Sequence, residues 1–299
     1  MLVSCYRNPQ STTFMTYPLP IVEQHTFSYN DSVQINYEIY GQGEPRLVFL
    51  HGFGASRESW RDILPFLRGA GTLYLVDLKG HGLSSKPNDS KYSLSDQADV
   101  IATFLKCERI EPAVLVGHSY GGAVALLAYF HLRANGEESV LRGLVLIDSA
   151  GYAQSLPFFV SVLRQPVLNH VVLSMPATFR ARYTLERLFF DRAKVTNERV
   201  ERYARYFDLP GSHHALIECA KHILPRDMDS VVAQIPTVMI PTLIIWGEND
   251  TAIPLSIAQR LHTEVRSSKL TVLHKCGHVT QEEQPEATAE TLRTFLSSL

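Results

Sequence analysis

The chain has 299 residues, a formal net charge of −2 and a sequence pI of about 6.6. Its 45% hydrophobic and 19% charged residues are typical of a folded globular protein and exclude wholesale disorder. A nucleic-acid partner is not expected, because such binders usually carry a basic excess. The length indicates two domains, or one α/β domain with an insertion.

The first 24 residues are predicted to form an N-terminal extension. Residues 1–20 carry one charge, Arg7, and no long apolar run, so a secretory signal is not predicted. The longest apolar stretch, residues 123–130, is far short of the roughly 20 residues that span a bilayer, so integral membrane association is not expected either.

The chain has four cysteines, Cys5, Cys107, Cys219 and Cys276. They show neither a CxxC motif nor the spacing of zinc ligands. This usage is typical of reduced thiols, so a cytoplasmic location is expected. Cys276 lies two residues before a histidine, but we interpret it as a small buried side chain rather than a nucleophile.

In chain order, the first regular element is predicted at residues 25–40, where apolar and polar residues alternate as in a half-buried strand. Six short apolar runs follow, which suit strands buried on both faces of a parallel sheet: 47–50, 73–76, 113–116, 144–147, 243–246 and 270–273. Helical spacing appears at 95–107, 122–132 and 286–296. This alternation predicts a mostly parallel central sheet flanked by helices.

The alternation is interrupted between residues 151 and 225, which are helical in pattern with no clear strand. We call this segment the cap and expect it to cover the carboxyl ends of the sheet, with a core of residues 25–150 and 226–299. The cap has ten Lys or Arg and six Asp or Glu residues. Some of its arginines are expected to pair along a helix that begins at Thr196, as Arg202 with Glu198. A buried cap arginine facing the site would suit a substrate carboxylate.

Ser119 is the candidate nucleophile. It follows an apolar run and lies in Gly117-His118-Ser119-Tyr120-Gly121, a strand, a sharp turn and a helix start. The glycines allow the close crossing of strand and helix that leaves the hydroxyl exposed at a helix N-terminus.

A serine nucleophile needs a base, and the base needs an orienting acid. Asp250 follows the predicted strand at 243–246, and His278 follows the one at 270–273, so all three side chains are expected at one edge of the sheet. Asp148, after the strand at 144–147, is the alternative acid.

Five ordered motifs carry a family resemblance: Leu50-His51-Gly52-Phe53-Gly54, the run from Asp77 to Ser84, the run from Gly117 to Gly122, Trp246-Gly247-Glu248-Asn249-Asp250, and Gly277-His278 with Glu283 and Pro285. With the chain order Ser, Asp, His, the sequence resembles the α/β-hydrolase superfamily, in its cap-bearing esterase and C–C-hydrolase branch. It departs from the dehalogenase and epoxide-hydrolase branches, whose nucleophile is Asp where Ser119 stands.

The resemblance implies an oxyanion hole from the backbone N–H groups of Tyr120 and Phe53. It also implies an acyl-enzyme on Ser119, with His278 as base and Asp250 as orienting acid, and neither a metal nor an organic cofactor. The expected substrate is a small-molecule carboxylic ester with an apolar acyl or aryl part. Among the cap aromatics, Phe158, Phe159 and Phe179 are candidates for lining an acyl pocket, although cap packing is their more ordinary use.

Other functions stay open at this point. The same residues would serve a C–C bond hydrolase acting on a vinylogous ketone, or an acyltransferase. A different class is a small-molecule receptor that retains a triad without turnover. A homodimer is also left open.

Overall fold

The computed structural model describes residues 23–299 as an eight-stranded sheet with helices on both faces. Its strands are β1 (Glu23–Asn30), β2 (Val33–Gly41), β3 (Arg46–Leu50), β4 (Thr72–Val76), β5 (Ala113–His118), β6 (Leu141–Ile147), β7 (Thr242–Gly247) and β8 (Ser268–Leu273). The order across the sheet is β1-β2-β4-β3-β5-β6-β7-β8. The pairs β1–β2 and β2–β4 are antiparallel, whereas all later pairs are parallel. This confirms the predicted fold class.

Helices connect these strands. They are α1 (Leu94–Cys107), α2 (Tyr120–Ala134), α3 (Phe158–Leu163), α4 (Leu168–Ser174), α5 (Ala177–Leu188), α6 (Asn197–Ala204), α7 (Ser212–Lys221), α8 (Met228–Gln234), α9 (Leu255–Glu264), α10 (Thr280–Glu283) and α11 (Pro285–Leu296). Single 3-10 turns occur at Arg57–Trp60, Leu64–Leu67, Glu138–Val140, Arg192–Lys194 and Ile235–Thr237.

The start of α1 shows how local sequence fixes an element. The Asp96 amide donates to the Ser93 hydroxyl at 3.1 Å, and the Ser93 amide donates to the Asp96 carboxylate at 2.9 Å. This capping box satisfies two amides that the helix itself leaves free, so α1 begins directly after Ser93.

The prediction of a single strand at residues 25–40 is wrong, because the chain reverses there and forms the β1–β2 hairpin. The carboxamide oxygen of Asn30 accepts from the amides of Ser32 and Val33 at 3.0 and 2.9 Å. Asn favours such side-chain turns, and this one interrupts the strand at a position that the alternation of apolar residues does not mark.

The sheet separates two apolar layers, because successive strand side chains point to opposite faces. On β3, Val48 and Leu50 face the layer that contains α1, α2 and α9. Leu47 and Phe49 face the layer that contains α11 and the 3-10 turn at Leu64–Leu67. Burial on both faces explains why β3 to β7 consist of continuous apolar runs.

The connection from β6 to β7 contains α3 to α8, and in the described residues it adds no strand to the sheet. The predicted start of α6 is present, since Thr196 accepts from the Arg199 amide at 3.2 Å. Arg202 of α6 also has a partner outside the cap: it is buried, and its guanidinium donates to Asp62 at 2.8 Å. Helical spacing alone could not reveal this core partner.

Candidate active site

Ser119 lies between β5 and α2 in a strained turn, with φ 52° and ψ −115°. Its amide donates to the Ile147 carbonyl at 2.9 Å, which holds the turn against β6. A Cβ atom on Gly121 would approach the Leu50 carbonyl oxygen to 2.2 Å, and one on Gly117 would approach the Gly121 oxygen to 2.4 Å. Only glycine fits at these two positions, and the resulting close packing maintains the unusual backbone of Ser119.

Three side chains from the carboxyl ends of β5, β7 and β8 meet in one hydrogen-bonded line. Ser119 Oγ lies 2.9 Å from His278 Nε2, and His278 Nδ1 lies 2.7 Å from Asp250 Oδ2. Both His278 and Asp250 are buried. Because a carboxylate oxygen accepts, Nδ1 carries the proton and Nε2 presents a lone pair to the serine hydroxyl. Such an arrangement can remove the proton from a serine that attacks a carbonyl.

The loop after β7 fixes the orientation of Asp250. Its Oδ1 accepts from the amides of Ala252 and Ile253, at 2.7 and 2.9 Å. With one oxygen held by the backbone, the other oxygen is directed at His278. The imidazole ring is therefore held at Nδ1 by Asp250 and at Nε2 by Ser119.

Asp148, the alternative acid, is fully buried at the end of β6. The Gly247 amide donates to its Oδ1 at 2.8 Å. Burial, together with the nearby negative charge of Asp250, raises the pKa of Asp148 well above its usual value. Its environment thus disfavours the charged form of Asp148, and it is Asp250 that lies within hydrogen-bond distance of His278 Nδ1.

Asp148, Asp250 and His278 have potential metal-ligand atoms within 4.8 Å of one another. Three backbone amides and the imidazole N–H already donate to the two carboxyl groups. This set of hydrogen bonds supports an acid–base relay more strongly than a cation site.

The two residues proposed as oxyanion donors line the same pocket as Ser119. Tyr120 is the first residue of α2, and Phe53 lies in the loop after β3, with the two rings 6.2 Å apart. Neither backbone N–H donates to an acceptor among the described residues. The N-terminus of α2 adds a partial positive charge there. Both amides are thus without a backbone acceptor in the described residues.

A cavity of about 170 Å³ opens onto Ser119 and His278. Apolar side chains from the core and from the cap make up most of its wall, among them Leu126, Val160, Leu163, Val172, Leu185 and Ile223. Its few polar lining groups include Gln154, Arg180, Thr184 and Tyr203. A ligand in this cavity would be held mainly by apolar contact.

Of the three cap aromatics named from the sequence, only Phe159 lines this cavity. Phe158, its neighbour on α3, is 67% exposed and faces an outer groove. Phe179 is 55% exposed and stacks on Tyr183, with the ring centroids 6.4 Å apart. The expectation that all three line an acyl pocket therefore needs correction. Adjacent residues on a helix point in different directions, and the sequence does not show which face meets the core.

Arg180 is a cavity residue that the sequence did not single out among the cap arginines. It is buried on α5, and its Nε donates to the Met175 carbonyl at 3.0 Å. One Nη donates to Asp208, and the guanidinium lies 5.3 Å from the centre of the Phe207 ring. Helix α5 thus places a positive charge at the wall of a mostly apolar cavity.

Three further histidines surround the site as neutral supports. Burial lowers the pKa of His51 to about 4 and that of His81 to about 3, and it lowers the pKa of His118 well below its usual value. His118 Nε2 donates to the main-chain oxygen of His278 at 2.7 Å. His51 Nε2 accepts from the Leu78 amide at 3.1 Å. Their hydrogen bonds fix loops near Ser119.

The prediction of four reduced cysteines is wrong for Cys107, which is disulfide-bonded. Spacing along the chain does not show which cysteines the fold brings together. Cys219 and Cys276 are free and buried, and burial raises the pKa of each thiol. Neither supplies a thiolate at neutral pH. Cys5 and the N-terminal extension through residue 22 lie outside the described residues.

With this geometry established, comparison with known proteins identifies the family. Residues 47–291 match the model of the Alpha/beta hydrolase family, and the chain belongs to it. The chain is 30% identical to the uncharacterized hydrolase YugF of Bacillus subtilis, over 89% of this chain and 95% of that protein. It is 31% identical to 2-hydroxymuconate semialdehyde hydrolase of a Pseudomonas species, over 89% and 91%, and 28% identical to monoacylglycerol lipase abhd6-B of Xenopus laevis, over 96% and 90%. The protein is therefore a hydrolase of this family.

In the described part of the chain, none of the helices has the length and apolar character needed to span a bilayer.

Proposed function

We propose that the protein is a serine hydrolase that cleaves a carboxylic ester through an acyl-enzyme. The hydrogen-bonded line Ser119–His278–Asp250 is the observation that carries this proposal. Ser119 Oγ attacks the ester carbonyl while His278 Nε2 takes its proton. His278 then gives that proton to the leaving alcohol, and Asp250 stabilises the imidazolium. A water activated by the same imidazole releases the acid.

The backbone amides of Tyr120 and Phe53 stabilise the oxyanion of each tetrahedral intermediate. One such donor is worth about 2.7–4 kcal/mol in comparable sites. The apolar cavity supports an acyl or aryl group as the main recognition element, with residues 151–225 as the cap that shapes it and residues 25–150 and 226–299 as the catalytic core.

Labelling with a fluorophosphonate tests the nucleophile, since only an activated hydroxyl reacts readily. We expect wild-type protein to label and Ser119→Ala to lose labelling completely. Ser256→Ala, at an exposed serine away from the cavity, is the control and should label as wild type does. Equal labelling of Ser119→Ala and wild type would contradict the proposal.

Arg180 favours a second candidate, hydrolysis of a C–C bond in a substrate that carries a carboxylate. A buried guanidinium in a cavity wall can bind such a group. The similarity to 2-hydroxymuconate semialdehyde hydrolase is consistent with it. We expect Arg180→Met to raise KM for an anionic dienoate ketone at least about tenfold and to leave a neutral ester unaffected. Arg182→Met, which removes an arginine outside the cavity wall, is the matched control.

Steady-state turnover of both substrates by the wild type separates the candidates. Turnover of a neutral p-nitrophenyl ester, with none of the dienoate, favours the esterase. Turnover of the dienoate, with none of the neutral ester, favours C–C bond cleavage. A receptor that only retains the triad would turn over neither substrate above background.

A further inference from the structure

A further buried acidic side chain lies close to the loop that carries His278. Glu283, the last residue of α10, is 1% exposed. Its Oε2 accepts from the Gly277 amide at 2.8 Å and from the Phe190 amide at 3.1 Å, while its Oε1 accepts from the Asp191 amide at 2.7 Å. One carboxylate therefore holds three backbone N–H groups. One of them belongs to the residue before His278, and two belong to the cap segment after α5.

The cap segment after α5 also contacts the loop that carries His278. The His278 amide donates to the Leu188 carbonyl at 2.7 Å. A Cβ atom on Gly277 would lie 2.2 Å from that carbonyl oxygen. The loop and the cap are therefore in such close contact that no side chain fits between them at this position. Lys194 donates to the main-chain oxygen of Glu283 at 2.6 Å, which adds a further link between the cap and α10.

We propose that Glu283 is a positioning residue that sets the orientation of His278 through the cap segment 188–191. This inference rests on the proposed serine-hydrolase function. Three amides donate to this one side chain at 2.7–3.1 Å, and hydrogen bonds to a carboxylate are stronger than those between neutral groups. The cap thus contributes to the geometry of the base as well as to the cavity wall.

A defect in this linkage is expected to act on the chemical step rather than on binding. Glu283 does not line the cavity, so its loss leaves the substrate contacts in place. His278 Nε2 must stay within hydrogen-bond reach of Ser119 Oγ, now 2.9 Å away, to take the proton. Small displacements of such groups lower rates strongly.

Two variants disrupt the hydrogen bonds between Glu283 and the backbone, one by changing the acceptor and the other by removing a donor. Glu283→Gln keeps the size of the side chain but turns an N–H₂ toward backbone donors. Asp191→Pro removes one cap N–H, and its matched control, Asp191→Ala, loses the side chain but keeps that N–H. Glu286→Gln, at an exposed residue on the same segment of chain, controls for charge.

We expect kcat per fluorophosphonate-titrated site to fall at least about tenfold in Glu283→Gln and about threefold or more in Asp191→Pro. KM should stay within about twofold, and both control variants should match wild type. Wild-type kcat in folded Glu283→Gln and Asp191→Pro would overturn the inference. A fall shared equally by Asp191→Ala and Asp191→Pro would overturn it as well.

A second measurement does not depend on turnover. The His278 N–H that donates to Asp250 is expected to give a far-downfield proton resonance in wild type, and this resonance should shift or broaden in Glu283→Gln. An unchanged resonance would contradict the positioning role. If wild-type protein fails to label with fluorophosphonate, the proposed function fails, whereas the resonance still decides the role of Glu283.

Discussion

At the scale of single residues, two carboxyl groups at the same sheet edge have different tasks. Asp250 accepts from His278 and from two amides, whereas Asp148 accepts from the Gly247 amide and lies in surroundings that raise its pKa well above the usual value. The direction of a carboxyl group and its solvation thus separate an orienting acid from a structural one.

This contrast predicts opposite results for two conservative changes. Asp250→Asn should lower kcat by about 10⁴, because the carboxamide no longer stabilises the imidazolium or its tautomer. Asp148→Asn keeps the shape of a side chain that has no hydrogen bond to His278 in the described structure, and it should keep activity within about tenfold. Steady-state kinetics on one ester checks both, and loss of activity only in Asp148→Asn would place the acid on β6.

The meeting of Ser119, Asp250 and His278 could be predicted, because each follows an apolar run and parallel strands end at one edge. The structure brings these side chains within hydrogen-bond distance, while their catalytic roles stay a proposal. The full burial of Asp148 and the cavity position of Arg180 could not be predicted. Both depend on what surrounds a side chain in space, which spacing in one sequence does not contain.

At the scale of elements, helix α3 of the cap directs one aromatic side chain toward the cavity and its neighbour toward the outside. Phe159 enters the cavity wall, whereas Phe158, one residue earlier, faces outward. The helical pattern of the cap was visible in the sequence, but the face of each short helix that meets the core was not. Six- and seven-residue helices such as α3 and α4 contain too few turns for a periodicity to define a face.

Substitution of Phe159 should therefore change substrate choice. We expect Phe159→Ala to alter acyl-chain preference, with KM effects worth about 1–3 kcal/mol across a series of ester chain lengths. Phe179→Ala, which removes an exposed ring of the same size, should leave the series unchanged. If both variants gave the wild-type series, the core loops rather than the cap would determine acyl specificity.

At the scale of the whole molecule, buried and partly buried ionisable side chains join the cap to the core. Arg199 and Arg202 of α6 both contact Asp62, and Arg199 Nε also lies 3.2 Å from Glu282. The Tyr203 hydroxyl donates to Glu282 as well. Burial raises the pKa of Glu282 to about 7, with Asp62 adding to the rise and the two arginines opposing it.

This raised pKa predicts a pH-dependent stability. Between about pH 4.5 and 7 the unfolded chain has lost the Glu282 proton while the folded protein retains it, so the contribution of Glu282 to stability falls as pH rises. Glu282→Gln removes this contribution. The Tm difference between wild type and variant should therefore change from pH 5 to pH 7.5, in the direction that favours the variant at higher pH. A constant difference would show that Glu282 does not titrate in this range.

The order of the strands also predicts that different parts of the candidate site differ in local stability. Ser119 follows β5, which has neighbours on both sides, whereas His278 follows β8, an edge strand that is partly exposed along its length. Edge elements open at lower free energy than central ones. On mild denaturation, hydrogen exchange should reach β8 before β5, and fluorophosphonate reactivity should disappear while most of the circular dichroism remains. Inactivation of this protein is thus expected to begin as fraying of the sheet from its C-terminal edge, well before the fold is lost.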